Sequence, residues 1–246
     1  MRILLSANTS WYLNNFRYGL ILELINRGYE VIVVAPPDET TPELEAMGCR
    51  FIPIHIESKS KNVFKDLNIF LQYLSIFRKE QPAWYVSFTI KSNIYGGMAA
   101  RRLGVPYLAT ITGLGTVFIL ENSVTKLVEI MYKVAFRKAD KVFFQNATDQ
   151  ALFESRGLVK DTEVRSVPGS GINIDDFKYE PIRQKKVSEP FVFLMMARLL
   201  WDKGIMEFVE AAKEIRKVNN NVSAVYWVRL LETIQQRYQK MNLKKV

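Results

Sequence analysis

Short apolar runs alternate with longer amphipathic stretches along most of the chain, and this alternation does most to limit its fold. RILLSA (2–7), YEVIVVAPP (29–37), FIPIHI (51–56), AWYVSF (83–88), PYLATI (106–111), KVFFQN (141–146) and TEVRSV (162–167) read as strands. Between them lie helical patterns at 11–28, 62–79, 92–104, 125–140 and 148–157. In the first helix Phe16, Leu20 and Leu24, with Ile21 and Ile25 beside them, are expected on the inward face. Gly28 and Gly104 stand where helices end in a left-handed residue. Parallel strands need crossover connections, and helices fill them. The expected fold class is therefore α/β, a Rossmann-like doubly wound parallel sheet.

The texture changes near residue 168. PGSGINIDDFKYEPIRQKKVSEP is rich in turn formers and scattered charge, as linkers are. FVFLMMA (191–197) then reads as a fresh strand, and 204–218 as a helix with Ile205, Phe208, Val209, Ala212 and Ile215 inward. The expected organisation is a first domain over 1–168, a linker over 169–190, one βα unit of a second domain over 191–221, and a basic tail over 222–246.

Composition excludes several classes. Cys49 is the single cysteine and His55 the single histidine, so disulfide frameworks, zinc clusters and imidazole triads are not expected, and a reducing cytoplasm fits. His55, between Ile54 and Ile56, reads as a strand position. No apolar stretch reaches the length of a membrane span, and the first residues are too short in apolar content for a signal peptide. The net charge is +9. The last 25 residues carry five basic side chains against Glu232, leaving +5 for the rest. Anionic lipid or phosphorylated substrates suit such an excess. Nucleic acid does not, because no binding motif accompanies the charge.

Three loops carry candidate chemistry. SANTSWYLNNFR (6–17) lacks G-x-G-x-x-G, which argues against a dinucleotide enzyme, but offers Asn14, Asn15 and Arg17 among other polar groups. Solvated helix capping explains part of this polarity, and for the rest ligand contact and a structural role read equally well. FTIKSNIYGG (88–97) and ITGLGTVF (111–118) bring Lys91, Thr112 and Gly113 beyond strand ends. Tight turns account for the glycines as well as close approach to a substrate does. In MMARLLWDKGI (195–205), Arg198 and Lys203 flank a helix start, where an anion is favoured. By spacing alone, a solvated surface pair is the stronger reading, because surface Arg and Lys are common.

Taken together, "TIKSNIYGGMAARRLGVPYLATITGLGTVF" (89–118), "VPGSGINIDDF" (167–177) and "ARLLWDKGIMEFVEAAKEI" (197–215) resemble the family-four retaining glycosyltransferases of the GT-B fold, in the bacterial branch that builds capsule, O-antigen or other glycans. The resemblance runs from Met1 to about Val222. It implies two facing Rossmann-like domains and a nucleotide-sugar donor, UDP-linked in this branch. Arg198 and Lys203 would hold the donor diphosphate, and Gly169, Ser170, Gly171 and Asn173 would form a loop entering the cleft. The first domain would receive a lipid-linked or oligosaccharide acceptor, with Asn14, Asn15, Arg17, Lys91, Thr112 and Gly113 as candidates. It would also touch anionic membrane on the cytoplasmic face. Lys126, Lys133, Arg137, Lys138 and Lys141 against Glu129 and Asp140 fit that, as they fit a merely solvated face. No metal, cofactor or catalytic nucleophile is implied.

Two features depart from the family pattern. The first loop is not glycine-rich, and Thr112 stands where many relatives carry histidine. After Asn221 the sequence lacks the glutamate loop that grips donor sugar and ribose. Truncation is the favoured explanation, with a natural half-enzyme that pairs with a separate C-terminal subunit as the other. Either way the isolated chain is expected to show little transfer. A non-catalytic acceptor-binding subunit is the alternative function.

Overall fold

The computed structural model describes residues 1–56, 63–114, 118, 123–181, 189–197 and 201–227. The chain divides into two compact units, Met1–Lys178 and Tyr179–Val246.

The first unit has seven strands: β1 (Arg2–Ser6), β2 (Glu30–Ala35), β3 (Arg50–Pro53), β4 (Trp84–Ser87), β5 (Tyr107–Ile111), β6 (Lys141–Phe144) and β7 (Glu163–Ser166). They form one sheet in the order β3-β2-β1-β4-β5-β6-β7, every pairing parallel. Its helices are α1 (Ser10–Asn26), α2 (Thr41–Ala46), α3 (Val63–Glu80), α4 (Gly97–Leu103), α5 (Ser123–Phe136) and α6 (Ala147–Ser155). This is the doubly wound α/β fold expected from the sequence.

Alternation along the strands divides the core. Ile3, Leu5, Val31 and Val33 pack with Leu13, Ile21 and Leu44 of α1 and α2. Leu4, Ile32 and Val34 face the other way, toward Tyr73, Tyr85, Tyr107 and Phe136. Both faces are covered, which is why these strands read as continuous apolar runs.

Three local expectations need correction. The buried stripe of α1 is Ser10, Leu13, Arg17 and Ile21, while Phe16 and Leu20 are about 40 % exposed (39 % and 41 %). Leu24 and Ile25 do pack against the core. A polar Ser10 and a charged Arg17 on the inward face hid the true phase of the helix. Second, α2 was not anticipated; it starts with a proline in its first turn, a position where the missing N–H costs nothing. Third, 92–104 is not one α-helix. Ser92–Gly96 winds as a π-helical turn before α4 begins. Gly28 and Gly104 do take left-handed conformations, with φ of 79° and 71°.

The second unit pairs β8 (Phe191–Met196) with β9 (Val222–Trp227) in parallel. A short 3-10 turn (Trp201–Lys203) and α7 (Ile205–Val218) connect them. The five α7 residues expected inward are half-buried, and the helix has no fully buried residue. The first six residues of the expected tail form β9, and 228–246 lie outside the described residues. No described helix is long and apolar enough to cross a membrane.

Candidate functional site

The strand order reverses direction between β1 and β4, so the chain winds outward from that pair on both sides. Ligands of open α/β sheets bind beyond the carboxyl ends of the strands at such a point. Here those ends lead into residues 7–9 after β1 and 88–91 after β4, with 112–114 after β5 next to them.

Polar residues of the first loop divide by role. Thr9 caps α1, its hydroxyl accepting from the Tyr12 N–H at 3.0 Å. The Ser10 hydroxyl donates to the Pro36 carbonyl at 2.8 Å, and the Trp11 N–H donates to Asp38 at 2.8 Å. These bonds tie α1 to the segment after β2. Asn14 donates its amide N–H to Glu43, and Asn15 is exposed. Arg17 is different: it is 8 % exposed, its Nη2 donates to the Tyr12 hydroxyl at 3.0 Å, and its guanidinium lies 4.3 Å from the centre of the Phe88 ring.

Phe88 links the neighbouring loops. Its N–H donates to the Ser6 carbonyl at 3.2 Å, and its carbonyl accepts from the Thr112 hydroxyl at 3.2 Å. Phe88 therefore joins Arg17 of α1 to Thr112 of the loop after β5. Gly113 is exposed with φ of 141°, a left-handed backbone that suits glycine. Lys91 points elsewhere, to Asp66 of α3 at 2.6 Å, where Tyr95 also donates at 3.2 Å. Of the acceptor candidates, the structure brings Arg17 and Thr112 together on Phe88 and assigns Asn14 and Lys91 acidic partners.

Beneath these loops the π-helical turn is held by a buried polar cluster. Ser6 donates to the Val34 carbonyl at 2.6 Å and meets the Tyr73 hydroxyl at 2.6 Å. Tyr85 donates to the Ser92 carbonyl at 2.9 Å, and Tyr107 to the Asn93 carbonyl at 2.7 Å. Burial pushes the Tyr85 and Tyr107 hydroxyls far above their ordinary pKa, so they stay protonated donors. A β-carbon at Gly96 would lie 1.9 Å from the Tyr85 hydroxyl oxygen, and one at Gly97 2.7 Å from the Tyr107 ring. Glycines here let the turn settle on two tyrosines.

An outer face of the same unit is apolar and basic. Leu67 and Leu71 of α3 are more than half exposed (56 % and 53 %), as is Ile130 of α5 at 58 %. A groove of about 550 Å³ runs between α3, α4 and α5, lined by Leu67, Phe70, Met98, Arg102, Val134 and Lys138 among others. Lys126, Lys133, Arg137 and Lys138 are exposed along or just beyond α5. Glu129, counted against them in the sequence, is engaged by Arg156, whereas Lys141 lies in β6 and pairs with Glu163 at 3.3 Å.

Gly169 and Gly171 have φ of 79° and 75°, and the loop is exposed. The Ser170 hydroxyl accepts from Gln145 at 3.0 Å. Asn173 is spent locally: its carbonyl oxygen accepts from the Asp175 N–H at 3.2 Å and its amide donates to Asp176 at 2.9 Å. In the second unit Lys203 is exposed in the 3-10 turn, directly before Gly204 at the start of α7. Arg198 lies outside the described residues. Among the described residues no cluster of His, Cys, Asp or Glu has the makings of a metal site.

Sequence reasoning missed Phe88, Asp66 and Tyr95. Phe88 closes an apolar run and carries no chemical signal of its own. Asp66 meets Lys91 and Tyr95 across 25 and 29 residues, a pairing that only the folded topology creates.

Comparison with known proteins fits this architecture. The profile of the glycosyl transferase 4-like family matches residues 2–146. The N,N'-diacetylbacillosaminyl-diphospho-undecaprenol alpha-1,3-N-acetylgalactosaminyltransferase of Campylobacter jejuni is 28 % identical over 236 residues, covering 90 % of this chain and 62 % of that protein. The UDP-Gal:alpha-D-GlcNAc-diphosphoundecaprenol alpha-1,3-galactosyltransferase of Escherichia coli is 27 % identical over 202 residues, 75 % of this chain and 51 % of its own length. The crystal structure of Anabaena HepE in complex with UDP and glucose superposes with a TM-score of 0.65 at 18 % identity, covering 98 % of this chain and 64 % of HepE. The chain thus spans between about half and two thirds of the length of these proteins. With more than half of its residues matched by the family profile, it belongs to the glycosyl transferase 4-like family.

Proposed function

We propose that this chain serves the transfer of a sugar from a UDP-sugar to a polyprenyl-diphosphate-linked acceptor in bacterial glycan assembly. The observation that carries this reading is similarity to two transferases whose names both specify a diphosphate-linked undecaprenol acceptor. One name also prints UDP-Gal, and HepE was solved with UDP. Both relatives are named for alpha-1,3 linkages. Because the sugar of a UDP-hexose is itself α-linked, the transfer proposed proceeds with retention.

In this reading the loops beyond β1, β4 and β5 receive the acceptor. Arg198 and Lys203 hold the donor diphosphate and stabilise the charge that grows on it as the glycosidic bond breaks. Lys203 sits where the free N–H groups of α7 favour the same anion. The outer face with Leu67, Leu71, Ile130 and the α5 cations suits peripheral contact with anionic lipid on the inner side of the membrane, where such an acceptor is embedded.

The test is calorimetric binding of UDP, and of a short-chain polyprenyl-diphosphate N-acetylhexosamine, to the folded chain. Both are expected to bind. An Arg198→Ala, Lys203→Ala variant should lose UDP affinity roughly 100-fold and keep the acceptor analogue. A folded chain that binds neither compound would sink the reading.

A further inference from the structure

Among the described residues Arg17 has no counter-charge. It is buried to 8 % exposure at the switch point of the sheet, and among the described residues no carboxylate pairs with it. The acidic groups near its helix are committed elsewhere: Glu43 to Asn14, and Asp38 to the Trp11 and Thr40 N–H groups. Its one described hydrogen bond goes to the Tyr12 hydroxyl, and among the described residues its Nε has no hydrogen-bond partner. The Asn14 side-chain oxygen, one turn earlier on α1, is likewise buried with no donor among the described residues.

A guanidinium taken out of water without an anion is costly, and contact with the Phe88 and Tyr12 rings offsets only part of that cost. A methionine of similar length would serve packing better. A buried arginine has five N–H donors, and its planar fork matches phosphate oxygens. Phe88 fixes its plane and is itself bonded to β1 and to Thr112.

We infer that Arg17, stacked on Phe88 beyond the ends of β1 and β4, is the anchor for the diphosphate of the lipid-linked acceptor. This rests on the acceptor reading above. The ligand supplies the missing counter-charge, and the Asn14 oxygen is placed to accept from a neighbouring sugar hydroxyl. Arg17 touches the ligand away from the bond being made, so its work is binding and positioning.

The experiment uses the full chain carrying Arg198→Ala and Lys203→Ala, which removes the other proposed diphosphate site. Three probes are titrated: a short-chain polyprenyl-diphosphate N-acetylhexosamine, the same sugar lipid on a neutral linker, and inorganic pyrophosphate. Arg17→Met and Arg17→Lys are compared with this parent, and the melting temperature of each is recorded without ligand. The expected result is that Arg17→Met melts at or above the parent, because an unpaired buried charge has gone. It loses affinity for both diphosphate probes roughly 10- to 100-fold while the neutral probe is unchanged, and Arg17→Lys falls between.

Binding is read on folded protein, so Arg17→Lys carries the test should Arg17→Met fail to fold. A lowered melting temperature with intact diphosphate binding makes Arg17 a packing residue and overturns the inference. Equal loss of the charged and neutral probes overturns its anionic part. If the parent binds the diphosphate lipid and every Arg17 variant binds it equally, this inference falls while the acceptor reading stands. If the parent binds no diphosphate probe, both fall.

Discussion

β2 and β8 are equally apolar in sequence and meet opposite fates. Val31, Ile32, Val33 and Val34 of β2 are at most 1 % exposed, whereas Val192, Phe193 and Leu194 of β8 are 53 %, 40 % and 55 % exposed. The difference lies in neighbours. β2 is paired on both edges, by β1 and β3, with helices on both faces. β8 is paired with β9, and the α7 beside them has no fully buried residue. An apolar run forecasts a strand, but only the layers around it convert that strand into stability.

The sharpest way to break this contrast is to put a methyl group where the first unit has no room. Gly96→Ala would drive a β-carbon into Tyr85, whose ring is fixed between Tyr73, Phe77 and Tyr107 at centroid distances of 5.9, 4.9 and 5.4 Å. The expected cost is about 3 kcal/mol or more, which should lower the melting temperature of the first unit by roughly 10 °C. Gly204→Ala in the second unit meets nothing closer than 3.6 Å and bears only the strain of φ at 72°, about 1 kcal/mol. Thermal melts of the two variants check the ranking, and equal destabilisation would break the comparison.

Truncation of a leucine sharpens the same contrast at smaller scale. Leu5→Ala, at 0 % exposure in β1, is expected to cost about 3 kcal/mol through lost transfer energy and the cavity left behind. Leu194→Ala, at 55 % exposure, should stay within about 0.5 kcal/mol. Urea titrations followed by tyrosine and tryptophan fluorescence would measure both. A large effect at Leu194 would show that β8 is covered in solution.

The fold was legible because its signals are local: β-α alternation, and Gly28 and Gly104 at helix ends. What escaped depends on long-range contact. The phase of α1 could not be read while Arg17 counted among the polar groups of the first loop, since only Phe88, 71 positions later, explains why a cation sits inward. The π-helical turn was invisible for the same reason, its glycines being required by Tyr85 and Tyr107 on neighbouring strands. Of the candidate site, residue type singled out Arg17 and Thr112 in separate loops, and their shared contact with Phe88 was not readable from either. Asn14 and Lys91 looked identical in sequence and turned out to be held by Glu43 and Asp66.

Electrostatics provides the finest comparison. Glu80, 3 % exposed at the end of α3, bonds to Arg50, while Arg2 donates to its backbone carbonyl at 3.0 Å. The bond from Arg50, ahead of every other influence, holds the Glu80 carboxyl below its ordinary value of 4.5. In the second unit Glu214 meets Lys217 with both side chains more than 60 % exposed (69 % and 67 %). A carboxyl whose pKa is lowered by folding contributes stability that is fully present above the unfolded value and is lost as pH falls through the folded one. Glu80→Gln should therefore cost about 1 kcal/mol at pH 7, since the Arg50 left behind is 43 % exposed and can turn to water. The stability curves of parent and variant should approach each other as pH drops below 4.5. Glu214→Gln should change nothing measurable at any pH, because solvent and salt screen so exposed a pair. Denaturant midpoints from pH 7 to pH 3 decide it, and a gap at Glu80 that stays constant across that range would mean the bond to Arg50 is not what stabilises this end of the sheet.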